Sequence, residues 1–223
     1  MSRSEEAVSI TPDILLRAYA AGVFPMAESA DDPGLYWVEP KARGIIPLDG
    51  LIVSRSLAKA VKQDRFRIRV DHDFDAVITA CAEAKSDRPN TWINARIRQL
   101  YRALFDQGNA HTIECWRDDA LVGGLYGVSL GGVFFGESMF HRASDASKVA
   151  LVHLVARLRR GCYRLLDAQF ITDHLASLGA VEISRARYKR LLAEAVVTRP
   201  LPDTWSEAEP INGAEALAIL RGE

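Results

Sequence analysis

Three side chains, Asp167, Gln169 and Glu137, stand where their types and surroundings could do chemistry. Asp167 and Gln169 lie two residues apart in LLDAQF, a short apolar run that reads as a β-strand. A period of two puts both on one face, with Leu166, Ala168 and Phe170 on the other. A carboxylate in so apolar a strand is costly to bury unless it is hydrogen-bonded, so Asp167 is either a working group or a structural Asp bonded to a nearby backbone amide. Glu137 sits in FFGESMF, one carboxylate among aromatic and Met side chains. Gly136 before it permits close approach of backbone or ligand, and Glu is rarely buried without a partner. The alternative is a Glu exposed in a turn at a strand end. The same segment approaches the G-x-S-x-G elbow of hydrolases, but Phe140 replaces the second glycine, which argues against that chemistry. The five histidines (His72, His111, His141, His153 and His174) show no metal-ligand spacing with Cys81, Cys115 or Cys162, so no metal and no cofactor are expected.

Basic residues form three clusters. Arg55, Lys59 and Lys62 recur at i, i+4 and i+7 along one helix face, and Arg65, Arg67 and Arg69 follow in alternation. Arg157, Arg159, Arg160 and Arg164 make the second cluster, and Arg185, Arg187, Lys189 and Arg190 the third. Each run is explained by a solvated face. Yet the net charge is −1, from 28 basic and 29 acidic residues, so three clusters mean that charge is segregated along the chain. A segregated basic face suits a polyphosphate partner.

These residues must be held by a folded scaffold. Thr11 as N-cap and Pro12 at the first turn start a helix that Gly22 stops. ESADDPG is an acidic turn, and LYWVEP and GIIPL are short extended pieces bounded by Pro, which together suggest a small N-terminal unit. Beyond Leu51, SRSLAKAVKQ predicts a basic helix, RFRIRVD a strand, and DHDFDAVITACAEAK a helix capped by Asp71 or Asp73. Ile93, Ile97, Leu100 and Leu104 mark the stripe of another helix. HTIECWRDDALVGGLYGVSLGGVFFGESMF reads as a hairpin system turning at Asp118-Asp119 and Gly131-Gly132. RASDASKVALVHLVARLRRG is a helix starting at Ser144 or Asp145 and ending at Gly161. CYRLLDAQF is a strand, and ARYKRLLAEAVV is the final helix. The order predicts an α+β protein around a mainly antiparallel sheet.

A hydrophobic fraction of 48% with 26% charged residues is ordinary for a globular chain. No apolar run approaches the roughly 20 residues of a membrane span. The N-terminal MSRSEEAVSITPD lacks the apolar core of a signal peptide, and three scattered cysteines argue for a reducing compartment. A cytoplasmic protein without a membrane partner is expected.

The ordered motifs ITPDILLRAYAAGVFP, LYWVEP, VSRSLAK, TWI, ALVGGLYGV, FFGESMF, ASK and LLDAQFITDHLASLGA resemble the bacterial leucyl/phenylalanyl-tRNA–protein transferase family over most of the chain. The resemblance implies a small N-terminal domain, residues 1–45, and a larger acetyltransferase-like (GNAT-related) domain, residues 46–223. It implies transfer of Leu or Phe, with Met tolerated, from aminoacyl-tRNA to acceptor proteins with N-terminal Arg or Lys, marking them for N-degron degradation. The family's catalytic Asp and Gln fall on Asp167 and Gln169, and its Glu near the amino-acid pocket on Glu137. Its basic tRNA-binding helix falls on Arg55, Lys59 and Lys62. Leu125, Phe134, Met139, Leu151, Leu154 and Leu166 are candidates for the apolar pocket by their place near the motifs, with ordinary core as the alternative. The terminal adenosine would meet Trp92 on one side and, where the family often carries Trp, Met26 on the other. The acceptor's basic side chain would meet Glu137 or the acidic stretch from Glu28 to Glu39.

Two rivals remain at this level. An acetyl-CoA-dependent N-acetyltransferase would want a Gly-rich pyrophosphate loop at a helix start, and the Gly pairs here are hairpin turns. A non-catalytic tRNA-binding module would keep the basic clusters without needing Asp167 and Gln169.

Overall fold

The structure, a computed structural model, describes residues 10–84 and 90–223. Residues 1–9, on which the reading of the N-terminus rests in part, and Lys85, at the end of an expected helix, lie outside the described residues. Helix α1 (Pro12–Ala20) is capped as expected, the Thr11 hydroxyl accepting from Ile14 N–H, and Gly22 takes the left-handed φ of +83° that turns the chain away. Strands β1 (Phe24–Met26) and β2 (Tyr36–Val38) pair as a small antiparallel sheet with Met26 opposite Tyr36.

The next strand, β3 (Ala42–Ile46), leaves that unit and enters the main sheet between two strands from the far end of the chain. The division expected after residue 45 therefore falls inside a strand. Helix α2 (Arg55–Lys62) follows, then β4 (Arg67–Val70), α3 (Phe74–Ala82) and α4 (Ala95–Asp106). Ser54, Asp73 and Asn94 cap the three helices through their side chains. Strands β5 (Ala110–Arg117), β6 (Ala120–Leu130) and β7 (Val133–His141) form the hairpin system. Asp118 and Asp119 have φ of +48° and +60°, the paired left-handed residues of the tight turn that matches strand twist. Helix α5 (Ala146–Arg160), strand β8 (Leu165–Gln169), the short helix α6 (Asp173–Ser177), β9 (Val181–Ser184) and α7 (Arg185–Val196) come next. A further helix, α8 (Gly213–Arg221), lies beyond the one expected to be last.

The main sheet has seven strands in the order β4-β5-β6-β7-β8-β3-β9. Every neighbouring pair is antiparallel except β7 with β8, so the α+β class and the mainly antiparallel sheet stand. Strand alternation divides the core. Ile45, Tyr126, Phe135 and Leu165 face α1, α3, α4 and α7, whereas Ile46, Leu125, Phe134 and Leu166 face α2, α5 and α8. Among the described residues no helix is long and apolar enough to cross a membrane.

Candidate active site

The parallel pairing of β7 with β8 is short, Val133 to Phe135 against Leu165 to Asp167. Beyond it the two strands stop pairing, each for a local reason. On β7, Gly136 pairs with Gly127 and Ser138 with Tyr126, so Glu137 is an extra residue, a bulge. Bulges re-aim the side chain they carry. On β8, Gln169 has φ +55°, a left-handed conformation that costs a non-glycine residue about 1–3 kcal/mol. It ends the strand there, and Asp167 and Gln169 both stand at one cavity. Gly44 on β3 makes room for this turn, because a Cβ there would stand 2.8 Å from the Phe170 carbonyl carbon.

Asp167 is fully buried and enclosed by donors. Arg43 Nη2 and Nε reach its carboxylate at 2.6 and 2.9 Å, the Tyr188 hydroxyl at 2.6 Å, and the backbone N–H of Gln169 at 2.8 Å. Arg43 is 1% exposed, lies between the Phe24 and Tyr188 rings, and donates its remaining Nη1 to the Gly22 carbonyl. Burial opposes its charge, but the bonds to Asp167 outweigh that and its pKa is raised. Burial, with Asp167 beside it, lifts the Tyr188 phenol too, so it remains a donor. The last of Asp167's contacts is the backbone-amide bond of the structural alternative, and it holds Gln169 in its strained conformation.

Glu137 meets a different set. Tyr19 hydroxyl donates at 2.6 Å, Tyr101 hydroxyl at 3.0 Å, and Gln169 Nε2 at 3.2 Å. The two tyrosine hydroxyls also hydrogen-bond each other. Burial pushes the Glu137 carboxyl up to about 7, against the pull of Tyr19 and Tyr101 and with Asp167 adding to the rise. The triangle offers three contacts and only two hydroxyl protons, so a proton on Glu137 completes it. Burial, then Glu137, keeps both phenols far above their ordinary pKa. Gln169, its amide nitrogen committed to Glu137, has no hydrogen bond to its Oε1 among the described residues.

Where β7 and β8 part, a cavity of about 230 Å³ opens on the α5 side. Leu125, Met139, Leu151, Leu154 and Leu166 line it, as expected, together with Ile46, Thr172, His174 and Leu175, which the sequence did not suggest. Glu137 and Gln169 stand at the same cavity. The volume is below the roughly 300–1,000 Å³ of drug-sized sites and suits a single side chain. Phe134 is not in the lining. Its ring is wholly buried beside Trp205, so the core alternative holds for it.

The other expected residues lie elsewhere. Arg55, Lys59 and Lys62 are exposed on α2 and form no ion pair among the described residues. The second basic cluster is largely structural: Arg157 is buried on the Thr204 carbonyl, Arg159 binds the Leu220 carbonyl, and Arg160 pairs with Glu215. In the third, Arg185 and Lys189 both pair with Glu39. Met26 and Trp92 are partly buried and pack against the same core cluster. Among the described residues no group of three His, Cys, Asp or Glu side chains could hold a metal ion.

Sequence reasoning missed Arg43, Tyr19 and Tyr101. Their partners lie 124, 118 and 36 residues away along the chain, and no local pattern marks them.

The family model for leucyl/phenylalanyl-tRNA protein transferase matches residues 45–193, and the model for that family's N-terminal domain matches residues 9–41. Curated leucyl/phenylalanyl-tRNA–protein transferases are similar over their full lengths. One from Afipia carboxidovorans is 57% identical, covering 99% of this chain and 97% of its own. One from Rhodopseudomonas palustris is 59% identical, covering 98% of each. One from Nitrobacter winogradskyi is 56% identical, covering 99% of this chain and 98% of its own.

Proposed function

Because this chain belongs to the leucyl/phenylalanyl-tRNA–protein transferase family, we propose that the cavity between β7 and β8 takes the donor's amino-acid side chain and that Gln169 receives the attacking amine. The enzyme transfers leucine or phenylalanine from aminoacyl-tRNA to a protein. The ester is already activated, so the reaction is aminolysis: the acceptor's α-amine forms the new C–N bond, the ester C–O bond breaks, and the amine's proton ends on the departing ribose oxygen. Holding amine and ester in line supplies much of the acceleration, since well-oriented reactions reach effective molarities of roughly 10⁵ M or more.

The observation that carries the assignment is the bond from Gln169 Nε2 to Glu137, which fixes the amide with Oε1 unpaired beside the cavity. That oxygen accepts a hydrogen bond from the incoming amine and aligns its lone pair. Glu137 polarises the side-chain amide, whereas Asp167 reaches the Gln169 backbone N–H. Asp167 is thus a positioning residue that acts through the left-handed turn. The tRNA's own 2′-hydroxyl is available to carry the proton.

The acceptors are proteins with N-terminal Arg or Lys, and the transfer marks them for N-degron degradation in the cytoplasm. An apolar, Met-containing pocket tolerates Met as a donor side chain as well. Trp92 and Met26 flank the terminal adenosine, and α2 carries phosphate contacts through Arg55, Lys59 and Lys62. The one parallel pair in an antiparallel sheet supports an acetyltransferase-like (GNAT-related) larger domain, and the pairing of β3 moves its start ahead of Ala42. A transfer assay with labelled leucyl-tRNA and an Arg-started protein tests the reading. Gln169→Ala should lower kcat with little change in KM for tRNA; wild-type turnover in that variant would overturn the role of Gln169.

A further inference from the structure

Helix α5 begins unusually. Its N-cap, Asp145, is left-handed with φ +65° and makes no capping bond through its side chain. Its carboxylate turns instead to Lys148 Nζ at 3.2 Å. The backbone N–H groups of Ser147 and Lys148 therefore have no acceptor among the described residues. Uncapped N–H groups and the helix dipole together favour an anion.

A second feature points the same way. Ser147 is 4% exposed, yet its hydroxyl makes no hydrogen bond among the described residues. On an α-helix Ser147, Leu151 and Leu154 follow one another at i, i+4 and i+7 and share a face. Leu151 and Leu154 line the amino-acid cavity, and Ser147 precedes them in that row, one turn nearer the start of the helix. Strand β7 runs alongside, since Met139 lines the cavity and His141 is two residues further on the same face. From α6, His174 also lines the cavity. Burial first, then Lys148 and His141, lowers the His174 pKa, so its ring stands at the cavity in the neutral form.

We propose that the start of α5, with Ser147, Lys148 and His174, is a subsite for a single phosphodiester of the donor RNA, the phosphate on the 5′ side of the aminoacylated nucleotide. This rests on the reading of the cavity as the aminoacyl pocket. With the side chain in the cavity and the ester at its mouth, the terminal ribose lies at the rim and its 5′-phosphate one sugar away. The Ser147 hydroxyl and the two free N–H groups donate to the phosphate oxygens, Lys148 supplies charge, and His174 offers a neutral ring N–H. The contact reads no base. It sets the distance between backbone and ester, which is how phosphate contacts serve recognition.

The test uses two minimal donors, 3′-O-leucyl-adenosine and its 5′-phosphorylated counterpart, with an Arg-started peptide as acceptor. In the wild-type enzyme the phosphorylated donor should show a KM lower by about tenfold or more, the size expected of a hydrogen bond to a charged group, at similar kcat. In Lys148→Gln and in Ser147→Ala that ratio of KM values should fall toward one. A wild-type ratio of one, or a ratio that survives in both variants, overturns the subsite. Failure of the wild-type enzyme to transfer from intact leucyl-tRNA would instead overturn the function itself, so the two failures are distinct.

Discussion

Asp167 and Glu137 sit on neighbouring strands, and their surroundings are opposite. Asp167 has its counter-ion, two further donor groups and no exposure, which leaves no valence for a substrate. Among the described residues Glu137 has no cation bonded to it, and it has three neutral partners and a carboxyl pushed up to about 7. The first is a fixed anchor and the second is poised near neutrality. In this fold the group that sets geometry and the group that responds to proton transfer line one cavity but are held by different partners. The contrast teaches that a buried carboxylate in a functional motif is not thereby the chemical one.

The contrast can be broken most forcefully at Asp167. Asp167→Ala leaves Arg43 buried without a counter-ion and should cost about 3–5 kcal/mol in urea denaturation, with transfer lost through the released Gln169 turn. An equally stable Asp167→Ala variant would show that the pair is not the anchor. Glu137→Gln comes next. Replacing a carboxyl that bonds two hydroxyls and the Gln169 amide should lower turnover by roughly 10- to 100-fold with a smaller loss of stability, the reverse of the Asp167 pattern. The raised carboxyl also has a signature in pH. Glu137 binds its proton more tightly folded than unfolded, so the stability it contributes is full below 4.5 and is lost as pH rises through about 7. Denaturation of Glu137→Gln between those values should show a flatter pH dependence than wild type.

The remaining two sharpen the comparison by leaving both carboxylates alone. Leu154→Phe narrows the cavity and should disfavour Phe relative to Leu as donor, by about tenfold in kcat/KM if one methylene-scale mismatch is the guide. Smallest is Lys59→Ala on α2, which should weaken tRNA binding slightly and reduce the salt-dependence slope by about 1. Binding titrations across salt concentrations would read it, and an unchanged slope would remove Lys59 from the tRNA face.

Much of this was legible locally. Thr11, Asp118-Asp119 and the stripe Ile97, Leu100 and Leu104 act within a turn or two of chain, and the structure places each as its chemistry suggests, while Ile93, expected on that stripe, is buried just ahead of the Asn94 cap. Part of the lining of the cavity was also legible, because the leucines of α5 and β8 lie in or near recognisable motifs. Phe134 was not distinguishable from them, since a buried aromatic next to a motif reads alike in core and pocket. The bulge at Glu137 was hidden for a different reason: it is a mismatch of register between two strands, a property of the pair that neither strand carries alone. Arg43 was hidden because a lone arginine in a short strand reads as surface until a distant carboxylate is brought against it. The arginines of α5 misled in the opposite direction, looking like a nucleic-acid face while binding the carbonyls of the segment that follows α7.

That segment ends in α8, which packs on α2 and α5. Gly213, at its start, fits so closely that a Cβ there would stand 1.8 Å from the Val61 carbonyl oxygen, and its N–H donates to Asp64. Strand β3 likewise lies between β8 and β9. During synthesis, then, the early third of the chain must wait. The basic helix and the strand bearing Arg43 can dock only after β8, β9 and α8 have left the ribosome. An enzyme whose substrate is the ribosome's own fuel thus completes its grip on that fuel only after translation of those segments is over.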